Sequence, residues 1–128
     1  MSRFEHTKHF TPEEASALIP KITPLLLKMQ LSLEAFEKQR LKAVAALKRA
    51  GTNGKRYAQE EPDALVEIQE LTNRVEGFGV IVKDYALGLI DFPSVRNAQE
   101  VYLCWKIGEP VVSHWHEIDS GFSGRKPV

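Results

Sequence analysis

Apolar residues recur along the first half of the chain at helical spacing. From Ile22 the series Ile22, Leu25, Leu26, Met29, Leu33, Phe36, Val44 and Leu47 marks one face, with Lys28, Glu34, Lys38 and Lys42 opposite. Upstream, Thr11-Pro12-Glu13-Glu14 has the form of a capping box: a hydroxyl that can accept an orphan amide, a proline suited to the first turn, and a carboxylate able to reach back. Phe10, just before it, is placed to staple the entry. Pro20 and Pro24 each remove a backbone donor and crowd the preceding turn, which predicts a break or kink near Ile19. A short helix should therefore feed a long one that runs to about Arg49. Gly51-Thr52-Asn53-Gly54 ends the pattern. A second helical series follows, Leu65, Ile68, Thr72, Val75 and Phe78. It starts at Pro62-Asp63 or as early as Tyr57, and Gly77 and Gly79 stop it. Two long helices joined by a short polar loop are expected to lie antiparallel.

After Gly79 the period changes. Val80-Ile81-Val82, Leu89-Ile90-Asp91-Phe92 and Val101-Tyr102-Leu103-Cys104-Trp105 are rich in β-branched and aromatic residues, as strands are. Pro93 and Arg96-Asn97-Ala98 bound them, so Leu89 to Lys106 is predicted to be a hairpin with a longer loop. Ser113 to Glu117 forms a further candidate strand. The fold class is therefore α+β: a long antiparallel helical hairpin, a short kinked N-terminal helix, and a small antiparallel sheet in the C-terminal half. No repeat, low-complexity stretch or domain boundary interrupts residues 1–128, which are expected to form a single domain.

Composition narrows the functional classes. At 128 residues one adequate core needs no covalent staple. Seventeen basic residues balance seventeen acidic ones, which argues against electrostatic capture of nucleic acid or an anionic membrane. Lys48, Arg49, Lys55 and Arg56 cluster at the predicted hairpin tip, but cations at a helix C-terminus are ordinary. Cys104 is the single cysteine, so no internal disulfide can form. No apolar run approaches the roughly 20 residues needed to span a bilayer, and the first residues lack the apolar core of a signal peptide. A cytoplasmic protein is expected.

The densest chemistry lies in Glu109-Pro110-Val111-Val112-Ser113-His114-Trp115-His116-Glu117-Ile118-Asp119. On a strand His114 and His116 share a face, with Trp115 and Glu117 on the other. Two imidazoles flanked by the carboxylates of Glu109 and Asp119 make a candidate site for Zn²⁺ or a similar divalent ion. The plainer alternative is a pair of hydrogen-bonded histidines beside an aromatic residue. An ion with an open position could activate water, with Glu117 or Asp119 as base, yet no pocket is legible and no enzyme is assigned. The helices lack the Glu-x-x-His pairs of a di-iron bundle. Cys104, between Leu103 and Trp105, reads as an inert core thiol. His116 is a conceivable base partner for it, although nothing in the sequence puts the two together. Gly121-Phe122-Ser123-Gly124-Arg125 reads first as a turn and second as an anion cradle ending in a cation. His6 and His9 precede the first cap and look like a flexible lead.

Several of these segments together carry a resemblance. They are Phe10-Thr11-Pro12-Glu13-Glu14-Ala15 with Leu18-Ile19-Pro20, Gly79-Val80-Ile81-Val82-Lys83-Asp84, Gly88-Leu89-Ile90-Asp91-Phe92-Pro93, Glu100 to Trp105, Gly108-Glu109-Pro110, and the closing Trp115 to Arg125. They resemble a bacterial family of small uncharacterised proteins, domain of unknown function two-two-zero-three, over nearly the whole chain. The resemblance implies no activity. It does imply that Glu109, His116, Asp119, Gly124 and Arg125 belong to the family's pattern, whereas His114 and Pro24 are particular to this chain.

Two functions are carried forward. One is metal binding through His116 as anchor, with Glu109, Asp119 and His114 around it. The other is an interaction module without chemistry, in which the long helices pair with another copy as coiled-coil-like faces do. Helices of ~25 residues extend ~35–40 Å, further than a small sheet can cover, so a homo-oligomer is expected.

Overall fold

The computed structural model describes residues 4–50 and 63–128. Helix α1 spans Pro12–Ala50 and helix α2 spans Asp63–Glu76. Strands β1 (Ile81–Asp84), β2 (Leu89–Arg96), β3 (Gln99–Lys106), β4 (His114–Glu117) and β5 (Lys126–Pro127) follow, with a 3₁₀ turn at Phe122–Gly124 before the last. The fold is α+β. The predicted loop Gly51 to Gly54, the cations Lys55 and Arg56, and the alternative helix starts at Tyr57 and Pro62 lie outside the described residues.

The N-terminal cap forms as its residue types dictate. The Thr11 amide donates to Glu14 Oε1 at 2.9 Å, and the Glu14 amide donates to Thr11 Oγ1 at 3.1 Å. The expected division of the first helix near Ile19 does not occur: α1 continues through Pro20 and Pro24 for 39 residues. Both prolines sit on the exposed face, one turn apart. The carbonyls of residues 16 and 20, deprived of their intrahelical donors, therefore lie toward the wet side of the helix, where water can satisfy them. The opposite side holds Ile22, Leu26 and Met29 against the core, and that packing overrides the local preference to stop.

Helix α2 buries Ala64, Ile68, Leu71 and Val75 at spacings of four, three and four. With α1 it covers one face of the sheet, where Ile90, Phe92, Leu103 and Trp105 complete the main core. Phe10 packs edge-on against Phe92, ring centroids 5.4 Å apart.

The sheet is an antiparallel meander in the order β1-β2-β3-β4-β5. Two expectations change here. Pro93 does not end a strand but lies inside β2, opposite Tyr102. The pairing of β1 with β2 stops at Asp91, so the side of Pro93 that lacks a donor faces no neighbouring strand. There the Pro93 carbonyl accepts instead from the Phe10 amide at 2.8 Å. The predicted longer loop is also absent. Arg96 pairs with Gln99, leaving a two-residue turn, Asn97-Ala98, with φ of 50° and 64°. Positive φ at both positions suits the twist of a tight hairpin.

Candidate metal centre

Alternation along the strands sends Asp91 of β2, Tyr102 and Cys104 of β3, and His114 and His116 of β4 to the face away from the helices. Asp91 stands directly across from Cys104. His116 stands across from Tyr102, one step diagonal to Cys104. The central strand thus offers a short side chain between two longer ones. Asp91 and His116 close over it, with His116 Nε2 lying 3.1 Å from both carboxylate oxygens. Asp91, Cys104 and His116 are all buried, and their ligand-type atoms lie within 4.8 Å of one another.

His116 is held from its other side as well. Nδ1 lies 2.7 Å from the carbonyl oxygen of Glu117, and the Tyr102 ring packs against the imidazole at 5.5 Å. A carbonyl can only accept, so Nδ1 carries the proton and Nε2 is turned toward Asp91. A neutral imidazole has a single N–H. Nε2 and the carboxylate therefore need a second proton, or a cation, between them. Burial pushes the Asp91 carboxyl above its ordinary range, with His116 acting in the opposite direction. Burial, and after it the charge of Asp91, pushes the Cys104 thiol up to about 12. A thiol in that state is not a nucleophile near neutrality. Cys104 becomes a strong ligand only by giving its proton up to a cation.

A cavity of about 220 Å³ opens beside this cluster and reaches Asp91 and His116. Elsewhere on the same face, the N-terminal arm lies along β3. Glu100 accepts the amides of Glu5 and His6 at 2.9 and 3.0 Å and the His9 ring nitrogen at 2.7 Å, while His6 Nε2 meets the Tyr102 hydroxyl at 2.8 Å. His6 and His9, expected as a flexible lead, are docked.

The structure places the four residues singled out by sequence as follows. His116 is central. Glu109 is engaged elsewhere: Arg125 grips it through two contacts of 2.9 Å, and it accepts the Lys106 amide at 2.8 Å. Arg125 also donates to the Cys104 carbonyl at 3.2 Å, so this cation braces the back of the turn. His114 is half-buried, 3.0 Å from Ser113 Oγ and 3.9 Å from Glu109. Asp119 is exposed in the turn after β4. The partners that gather around His116 are Asp91 and Cys104. The one local signal for Asp91 was a carboxylate inside an apolar strand segment, Leu89-Ile90-Asp91-Phe92.

The fold and cluster define a class: a helix-covered antiparallel meander with a buried His–Asp–Cys group on its second face. The chain belongs to the family of uncharacterized conserved proteins designated DUF2203, whose sequence profile matches residues 8–128. No curated relative and no solved structure matches it. Among the described residues, no helix is long and apolar enough to cross a membrane.

Proposed function

We propose that the protein binds a divalent metal ion through His116, with Asp91 and Cys104 as the other protein ligands. The observation that carries this reading is the orientation of His116. Its Nδ1–H is tied to the Glu117 carbonyl at 2.7 Å, and Nε2 faces a buried carboxylate with a thiol beside it. Metal-ligating histidines are held in this way, the distal N–H fixed by a carbonyl or carboxylate. Bond lengths of 2.0–2.3 Å to Zn²⁺ imply ligand atoms roughly 3.3–3.7 Å apart in a tetrahedron. The 3.1 Å contacts between His116 and Asp91 need to open only slightly to reach that spacing. Mixed nitrogen, oxygen and sulfur donors suit Zn²⁺ or a similar ion. Three protein ligands leave a fourth position, which the adjoining cavity can serve. Glu109, His114 and Asp119 would then act around the inner set rather than within it.

The test is the metal content of protein prepared without a His tag, measured by elemental mass spectrometry. Near-stoichiometric metal in the wild type, lost in His116→Ala, is the expected result. Circular dichroism of the variant separates lost metal from lost fold. Protein that stays metal-free after incubation with Zn²⁺, Mn²⁺, Fe²⁺ and Ni²⁺, or a folded His116→Ala protein with full occupancy, overturns the assignment.

A second reading rests on α1. Leu27, Leu31, Leu41, Val44 and Leu47 are all more than a third exposed. Asp63, Ala64 and Glu67 at the start of α2 share a groove with Lys28, Leu31, Ser32 and Ala35 of α1, which favours an antiparallel hairpin. We infer that its exposed leucines pair with a second copy. A monomeric mass by light scattering at high protein concentration would remove this reading, and it leaves the metal site untouched.

A further inference from the structure

The cavity beside the cluster is lined by chemically different groups. The buried Asp91 and His116 are its polar lining, while Leu89, Ile118 and Phe122 supply apolar surface. Lys83, an exposed residue of β1, stands at the rim. Its ammonium lies 5.3 Å from the centre of the Tyr102 ring, and among the described residues it forms no ion pair with a carboxylate. At about 220 Å³ the space is below the usual range for drug-sized ligands. An occupant has to be small.

Charge decides what kind of occupant fits. A divalent cation bound by the Asp91 carboxylate, a Cys104 thiolate and a neutral imidazole has no net charge. An anion arriving at the fourth position leaves one negative charge, in a partly enclosed site where it is poorly screened. Lys83 is the cation on the rim that can offset it. The apolar walls next to that position favour a hydrocarbon tail over a second charge.

Resting on the metal assignment above, we propose that this cavity binds a small monocarboxylate with a short apolar tail. The carboxylate lies between the metal and Lys83, and the tail lies against Leu89, Ile118 and Phe122.

The experiment uses the full chain loaded with Co²⁺, because a thiolate-to-cobalt charge-transfer band reports the metal and the ligand-field bands report the fourth position. Butyrate, acetate and inorganic phosphate are titrated in turn, with signals normalised to bound cobalt. Butyrate is expected to shift the ligand-field bands at lower concentration than acetate. Lys83→Met should weaken butyrate binding at least tenfold, while Lys42→Met, at an exposed position on α1, should bind as wild type. Cobalt-loaded protein whose bands do not respond to butyrate, or Lys83→Met with wild-type affinity, overturns the carboxylate site and leaves the metal site standing. Phosphate binding more tightly than butyrate also overturns it, in favour of a simple inorganic anion. Absence of the charge-transfer band in the wild type removes the metal reading and this inference with it.

Discussion

At the scale of residues, the sequence marks His116 but cannot supply its partners. A histidine between acids in a short strand is a visible local signal. Asp91 and Cys104 reach it only through the pairing of three strands, and no local pattern fixes that pairing. Cys104 looked like packing because its neighbours Leu103 and Trp105 are packing; the alternation of the strand turns it to the other face. Glu109 illustrates the converse. Its charge was legible, but the grip of Arg125 depends on a turn that brings residues sixteen apart together. Both Oε atoms of Glu109 are used by Arg125, and burial leaves Arg125 Nε without a partner. Glu109→Ala should therefore lower stability by about 1–3 kcal/mol, the range for losing charged hydrogen bonds in a partly buried setting, read from urea unfolding. Metal content measured on the same protein should stay at the wild-type level. A fall in metal with unchanged stability would instead make Glu109 a ligand.

At the scale of elements, patterning works where packing and propensity agree. The Thr11–Glu14 capping box, the buried face of α1 from Ile22 to Met29 and the β-rich segments after Gly79 follow from residue types alone, whereas Val44 and Leu47, expected on that face, are exposed, and α2 buries Ala64 and Leu71 beside the expected Ile68 and Val75. The failures fall where tertiary structure outweighs a local rule. Pro20 and Pro24 stay helical because they face outward, and Pro93 stays in a strand because its donor-free side meets the N-terminal arm. The β2–β3 turn was hidden by Ala98. Asn-Gly would have signalled a tight turn, whereas an alanine at φ 64° does not. An L-residue other than Asn or Asp holds that conformation at a cost of the order of 1 kcal/mol. Ala98→Gly is therefore expected to raise the urea midpoint, by about 0.5–1 kcal/mol of stability. A loss of stability would show that the Ala98 side chain contributes more by packing than its backbone costs.

At the scale of the whole molecule, the second face of the sheet is closed by chain from both ends: the N-terminal arm over Tyr102 and Glu100, and the segment around Phe122 beside the cavity. Glu100 is the anchor of the arm. Burial alone would raise its carboxyl, but the bond from His9 and the amides of Glu5 and His6 outweigh it and hold the group below its ordinary range. A depressed folded-state value means that the contribution to stability is present above the unfolded value, about 4.3, and is lost as pH falls through the lower folded one. The stability gap between wild type and Glu100→Gln, from urea curves taken at successive pH values, should be full near neutrality and narrow below about 4.3; a gap that does not change with pH would contradict this. The meander that carries the site has one more consequence. Asp91, Cys104 and His116 come from successive strands, thirteen and twelve residues apart, so the spacing is set by the lengths of the connections between strands. The unbroken pairing from Asp91–Cys104 to Arg96–Gln99 makes the first interval a fixed count: one residue inserted within β2 after Asp91, or within β3 before Cys104, would turn one of the two onto the helical side unless a bulge absorbed it. The identifying mark of such a site in other chains is thus a long-period signature, an acid, a thiol and an imidazole set one hairpin apart, which no short motif would reveal.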